Sequence, residues 1–183
     1  MEKVSLENQP IYTKQLVSKK VKVSFAKLGH SVEKIFKEYA EKFIVGKCSK
    51  EGYISTNHIK IIEYSAPQCV SSYAIYDVLY EFEIYNPYEG QELIVKVSNI
   101  TKIGIKAIVS SNTRNNPVTV FASRLHNEHV IMKDDNVELD QDGISDENIY
   151  SENDIIKIEV IGYRFEINDT SIYILGKINN KIK

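Results

Sequence analysis

Four histidines, two cysteines and one dense acidic run are the groups of this 183-residue chain best suited to chemistry, and their spacing argues against most of it. His30, His58, His126 and His129 are scattered, and none lies in a serine or cysteine nucleophile motif. Cys48 and Cys69 form no CxxC, and no histidine pair stands at metal spacing. A structural zinc site needs about four ligands, which this spacing does not assemble. The two thiols read as small apolar residues, and they point to a reducing compartment rather than a disulfide framework. The run Glu138-Leu139-Asp140-Gln141-Asp142-Gly143 has the look of a calcium loop but fails its pattern. With Gly143 at the sixth position, Glu138, Asp140 and Asp142 take the first, third and fifth, but the twelfth is Ile149, where a bidentate glutamate is required. Neither GxxxxGK(S/T) nor GxGxxG occurs. The expectation is a non-catalytic protein with no cofactor and no metal.

Binding of single-stranded nucleic acid is the chemistry that fits better, because it needs only a basic groove and aromatic faces on which bases stack. Lys96, Lys102, Lys106, Phe121 and Arg124 form one candidate set, and Tyr163 with Arg164 a second. The net charge of −2 hides an uneven distribution. Between His126 and Asp154 ten acids face a single lysine, a segment of −9, so the remainder carries +7. An acidic segment of about 127–154 is therefore set into a mildly basic body.

Hydrophobic periodicity shows which elements would position these residues. Ile11, Leu16, Val17, Val21, Val23 and Phe25 make an extended stretch after a loose arm of about ten residues. Leu28, Val32, Ile35, Phe36, Tyr39 and Phe43 then fall on one face of a helix, with Ser31 or His30 as its cap. Lys50-Glu51-Gly52 is a turn between apolar residues, Ile59–Tyr64 a strand, and Ser65–Gln68 a loop. Tyr76, Val78, Tyr80, Phe82 and Ile84 alternate with polar residues, the clearest strand in the chain. It closes at Asn86-Pro87-Tyr88-Glu89-Gly90. From there the pattern is all short strands: Leu93–Ile100, Ile103–Val109, Val118–Ala122 with a single turn at Ser123-Arg124-Leu125, Ile155–Tyr163 and Ser171–Ile178. Five strands with an irregular excursion between the third and fourth match a five-stranded Greek-key barrel of the OB type. The fold class is α+β, with domains at 1–88 and 89–183.

No stretch reaches the roughly 20 apolar residues of a membrane span, so no membrane contact is expected. Met1-Glu2-Lys3-Val4-Ser5 lacks the design of a secretory leader, and an intracellular location, nuclear or cytoplasmic, is expected. Ile, Lys, Asn and Tyr are abundant and arginine occurs three times, the bias of an AT-rich genome.

The order strand, helix, hairpin, long alternating strand, x-Pro-aromatic-x-Gly and OB barrel resembles the larger stalk subunit of multisubunit DNA-directed RNA polymerases, both the archaeal form and the seventh subunit of eukaryotic polymerase II. The matching stretches are Val45–Ile54, Tyr76–Glu92 and Val120–Leu125, with the closing strands in family order. The resemblance runs from about Ile11 to Ile178. It implies an antiparallel tip domain with one helix that docks on the polymerase core, then a barrel of the ribosomal-protein S-one type near emerging RNA during transcription. Docking would fall to Lys50, Glu51, Gly52 and Tyr53, with the Pro67 loop beside them. The implied partners are the core subunits, a smaller helical stalk subunit and nascent RNA.

The chain departs from the family in three places. The second barrel strand carries Ile105 and Lys106 where an aromatic pair is usual, so RNA contact would be weak or electrostatic. The loop Ser110–Pro117 and the acidic segment look longer than the family norm. The composition fits a virus with its own polymerase, hence a virion or viral-factory location, as well as an AT-rich cell. The alternative reading is a free-standing OB-fold RNA-binding or translation-factor-like protein.

Overall fold

In the computed structural model, residues 12–29, 31–109, 117–127, 131–132 and 149–182 are described. The loose N-terminal arm, His30, His129, the 110–116 loop, the calcium-like run and most of the acidic segment lie outside them. Two compact units emerge: Pro10–Asn86 with Glu166–Thr170, and Pro87–Phe165 with Ser171–Lys183.

The first unit is a sheet covered by one helix. Its strands are β1 (Thr13–Ser24), β2 (Cys48–Ser49), β3 (Gly52–Tyr64), β4 (Gln68–Val70) and β5 (Tyr73–Tyr85), and α1 spans Val32–Phe43. The sheet order is β1-β5-β3-β2, with β4 also on β5, and every pairing is antiparallel. β5 is central because its alternation is the most regular: Ala74, Tyr76, Val78, Tyr80, Phe82 and Ile84 all face inward. α1 covers that face with Phe36 and Ala40, while Leu28, Val32, Ile35 and Tyr39 pack at the margin. The Tyr80 hydroxyl donates to the Phe36 carbonyl at 3.0 Å, so the ring's one polar atom is satisfied inside the core. Phe36 also meets Tyr76 and Tyr64 edge-on, with centroids 5.1 and 5.2 Å apart.

β3 is where sequence and structure differ most. Its polar stretch Ser55-Thr56-Asn57-His58 breaks the apolar pattern, yet the strand runs through it with a register shift between Ile54 and Ile59. His58 Nε2 and Glu81 Oε1, 2.8 Å apart, tie the irregular stretch to β5. The hydrogen bond with His58, which outweighs partial burial, holds the Glu81 carboxyl below the usual range, helped by Lys14 and Lys60. Gln68, expected in a loop, instead opens β4. The three residues of that strand are all exposed, so no burial pattern could announce it.

The second unit is a closed barrel of β6 (Glu92–Thr101), β7 (Gly104–Val109), β8 (Val118–Ser123), β11 (Ile155–Arg164) and β12 (Ile172–Ile182). Between β8 and β11 lie a single 3-10 turn, Arg124–His126, and a parallel pair, β9 (Ile131–Met132) and β10 (Ile149–Tyr150). The barrel order is β11-β12-β8-β7-β6, closed by β11 against β6. In barrel numbering this is first-second-third-fifth-fourth-first, with the third and fifth strands parallel. That is the expected α+β architecture with an OB-type barrel. The inward positions are aliphatic, from Leu93, Val95 and Val97 on β6 to Ile172, Ile174 and Ile178 on β12. Burying each such side chain contributes roughly 1.5–3 kcal/mol.

Among the described residues no helix is long and apolar enough to cross a membrane.

Candidate nucleic-acid face and docking turn

The register of the barrel places its outward residues in rows. β7 and β8 pair antiparallel, with Lys106 opposite Phe121 and Ile108 opposite Thr119. β6 adds Asn99 beside Lys106 and Lys96 beside Ile108. On the other side β12 sets Leu175 beside Phe121 and Tyr173 beside Thr119, and β11 sets Arg164 beside Tyr173. One row therefore reads Lys96, Ile108, Thr119, Tyr173, Arg164, and the next Asn99, Lys106, Phe121, Leu175. β7, β8 and β12 contain no acidic residue.

At one end of this face the β6–β7 turn and the 3-10 turn after β8 frame a shallow cleft of about 540 Å³, lined by Lys102, Ile103, Phe121, Ser123, Arg124 and Leu125. Three of the sequence candidates, Lys102, Phe121 and Arg124, meet here, and Lys106 adjoins Phe121 across the strands. Gly104 permits the arrangement: a Cβ there would stand 2.4 Å from the Ala122 carbonyl and 2.9 Å from Phe121 Cζ. Ile103 and Leu125 are 71% and 82% exposed, so the rim offers apolar as well as cationic surface. Tyr163 and Arg164 lie at the end of β11, away from this cleft. Tyr163 stacks on Phe165, their centroids 6.2 Å apart and their planes 15° from parallel. Lys96 sits at the far side, in the Ile108 row.

One residue that holds the face in place was invisible in the sequence. Asn127, fully buried, donates through Nδ2 to the Ser123 carbonyl at 2.8 Å and to the Gly176 carbonyl at 3.4 Å. Its Oδ1 accepts from the Ile178 N–H at 2.6 Å. It pins the turn that carries Arg124 and Leu125 onto β12. A polar residue in a polar loop gives no signal of this.

In the first unit the docking candidates separate. Ser49 and Gly52 close a two-residue hairpin around Lys50 and Glu51. The Glu51 N–H donates to Ser49 Oγ at 3.2 Å, and Ser49 Oγ donates to the Gly52 carbonyl, also at 3.2 Å. Burial alone would raise the Glu51 carboxyl, but hydrogen bonding from Ser49 and the backbone, with Lys19 and Lys50 nearby, holds it below its ordinary value. The Lys50 side chain is 80% exposed. Tyr53 is only 5% exposed: its partner on β5 is Tyr85 and it belongs to the fold, so it does not present a docking surface. Gly52 is buried likewise. The Pro67 loop does not lie beside this turn. Tyr53 pairs with Tyr85 at one end of β5, whereas Gln68 pairs with Ile75 near the other, ten residues or about 33 Å away.

Cys48, in the same hairpin, is bracketed by backbone bonds: its N–H donates to the Asp169 carbonyl at 2.7 Å, and its carbonyl accepts from the Asn168 N–H at 2.8 Å. Burial, reinforced by Asp169, pushes its thiol up to about 11, the opposite of a reactive thiolate. Cys69 is exposed. Among the described residues no group of three or more His, Cys, Asp or Glu is placed to hold a metal. No protein-family model and no curated protein matches the chain.

Proposed function

We propose that the chain is a non-catalytic subunit of a DNA-directed RNA polymerase, a stalk-like element whose first unit docks on the core enzyme and whose barrel meets emerging RNA. The observation that carries the RNA half is the outward face of β7, β8 and β12: cations and aromatic rings in register, with no acid on any of the three strands. Such a face attracts phosphate and offers ring surface to bases, which is what single-stranded recognition on an OB barrel requires. The helix-covered unit ahead of the barrel supports the polymerase half, since a free RNA-binding barrel needs no such partner domain. Within that unit the exposed Lys50 at the hairpin tip is the docking contact, in place of Tyr53.

Lys106→Glu with Arg124→Glu tests the RNA half. Both side chains point outward, so the barrel should fold as before. Binding of a single-stranded RNA should fall at least about tenfold, and the slope of log affinity against log salt should drop by about 1.4, the share of two lost phosphate contacts. Unchanged crosslinking and an unchanged salt slope would mean that RNA does not use this face. Recovery of the large polymerase subunits with the tagged chain tests the other half.

A further inference from the structure

The barrel lacks aromatic rings on its second strand, the position from which an OB-type face ordinarily stacks bases. β7 offers Lys106 and Ile108 outward, and nothing aromatic. The register shows where ring surface has gone instead. The parallel pairing of β12 with β8 brings Tyr173 beside Thr119, on the same outward face as Phe121 and two residues along from it. Two residues along a strand and one strand across is a diagonal of about 8 Å. Tyr173 is 58% exposed, and its neighbour on the other side is Arg164.

We propose that Tyr173 and Phe121 together form a two-base stacking track for single-stranded RNA, with the platform moved from the second barrel strand to the fifth. The inference rests on the RNA-binding reading above and adds a residue and a path to it. One base enters the cleft against Phe121, flanked by Lys102 and Arg124, and the next lies on the exposed ring of Tyr173. Lys106 on one side and Arg164 on the other carry cations to phosphates along the same two rows. Guanidinium and phenol are both suited to this work: Arg164 can meet a phosphate in a bidentate fork, and a tyrosine ring stacks on any base without choosing its identity. The face is therefore expected to bind with little sequence preference.

The test uses the full chain and a short fluorescein-labelled oligoadenylate. Tyr173→Ala should weaken binding roughly 5- to 150-fold, the stacking of one base, and leave the salt slope unchanged because no charge is removed. Tyr173→Phe should bind like the parent. Arg164→Gln should lower the salt slope by about 0.7. The chain has no tryptophan, so Tyr173→Trp places a single indole at the site, and its emission should be quenched as RNA is added. The far-UV spectrum of each Tyr173 variant should match the parent, because the altered side chain is exposed. If the parent binds RNA while Tyr173→Ala binds equally well and the indole emission is unmoved, the stacking track is wrong and the RNA reading survives. If the parent binds no single-stranded RNA even at low salt, both fall together.

Discussion

Gly52→Ala should destabilise the first unit by about 3–5 kcal/mol, one of the two largest effects expected in this protein. Two independent costs act at that position. The backbone has φ of +126°, a region that side chains rarely adopt, and a Cβ would stand 2.4 Å from the Tyr85 carbonyl oxygen and 3.0 Å from its carbon. The neighbour is main chain of the central strand, so it cannot rotate away. Gly46 is the matched control in the same unit: its φ is +74°, but a Cβ there would meet only Thr56 Cγ2 at 3.6 Å, an ordinary contact. Gly46→Ala should cost only about 1–2 kcal/mol, the left-handed strain alone. α1 is the one α-helix among the described residues, so loss of ellipticity at 222 nm reports this unit. Equal melting of the two variants would contradict the close approach of Gly52 to β5. The same geometry means that a Gly52 substitution cannot test docking, because it unfolds the surface in question. Lys50→Glu, at an 80% exposed side chain, can.

Asn127→Ala should lower barrel stability by about 3 kcal/mol. The substitution removes both bonds from Nδ2 and leaves the Ile178 N–H without the carbonyl oxygen it donates to, all in a site with no exposure to water. Each buried polar group left unmade costs about 1–3 kcal/mol, more than the net value of an average hydrogen bond. The turn carrying Arg124 and Leu125 should loosen, so RNA affinity should fall with stability. Asn127→Asp separates the donor from the acceptor role. A carboxylate still accepts from Ile178 but faces two carbonyls it cannot donate to. Burial raises the pKa of a carboxyl in such a place, so its folded form favours the proton. Stability should be retained below the unfolded value of about 3.9 and lost as pH rises through the folded one. Denaturant unfolding at about pH 4 and pH 7 reads this directly. A variant equally stable at both would mean the side chain is less buried than the geometry shows.

The parts of the fold that were legible in the sequence are those that bury one face regularly. Tyr76 to Ile84 alternate without a break and form the central strand, and the helix period from Val32 to Phe43 forms α1. The five barrel strands are legible for the same reason. Where burial is irregular or absent, the sequence is silent. β4 is exposed throughout, and the polar Ser55–His58 stretch hides the continuity of β3. The family resemblance implied that the Pro67 loop lies beside the Lys50 turn, whereas the continuous 13-residue β3 separates them by its own length. In the candidate site, Lys102, Phe121 and Arg124 are legible from residue type, because cations near an aromatic already suggest the chemistry. Tyr173 is not, since its relation to Phe121 depends on a parallel pairing between strands more than fifty residues apart in the chain. Asn127 is hidden because two of its three partners are backbone atoms of β12, about fifty residues further along the chain.

The most direct measurement is a mild affinity purification of the tagged chain from its native source, with bound proteins identified by mass spectrometry. The polymerase assignment requires the two large catalytic subunits among them, in amounts that fall when Lys50→Glu replaces the parent. Their absence from a preparation of folded, abundant protein would contradict the assignment, and a translation factor in their place would leave the barrel as a free RNA-binding module.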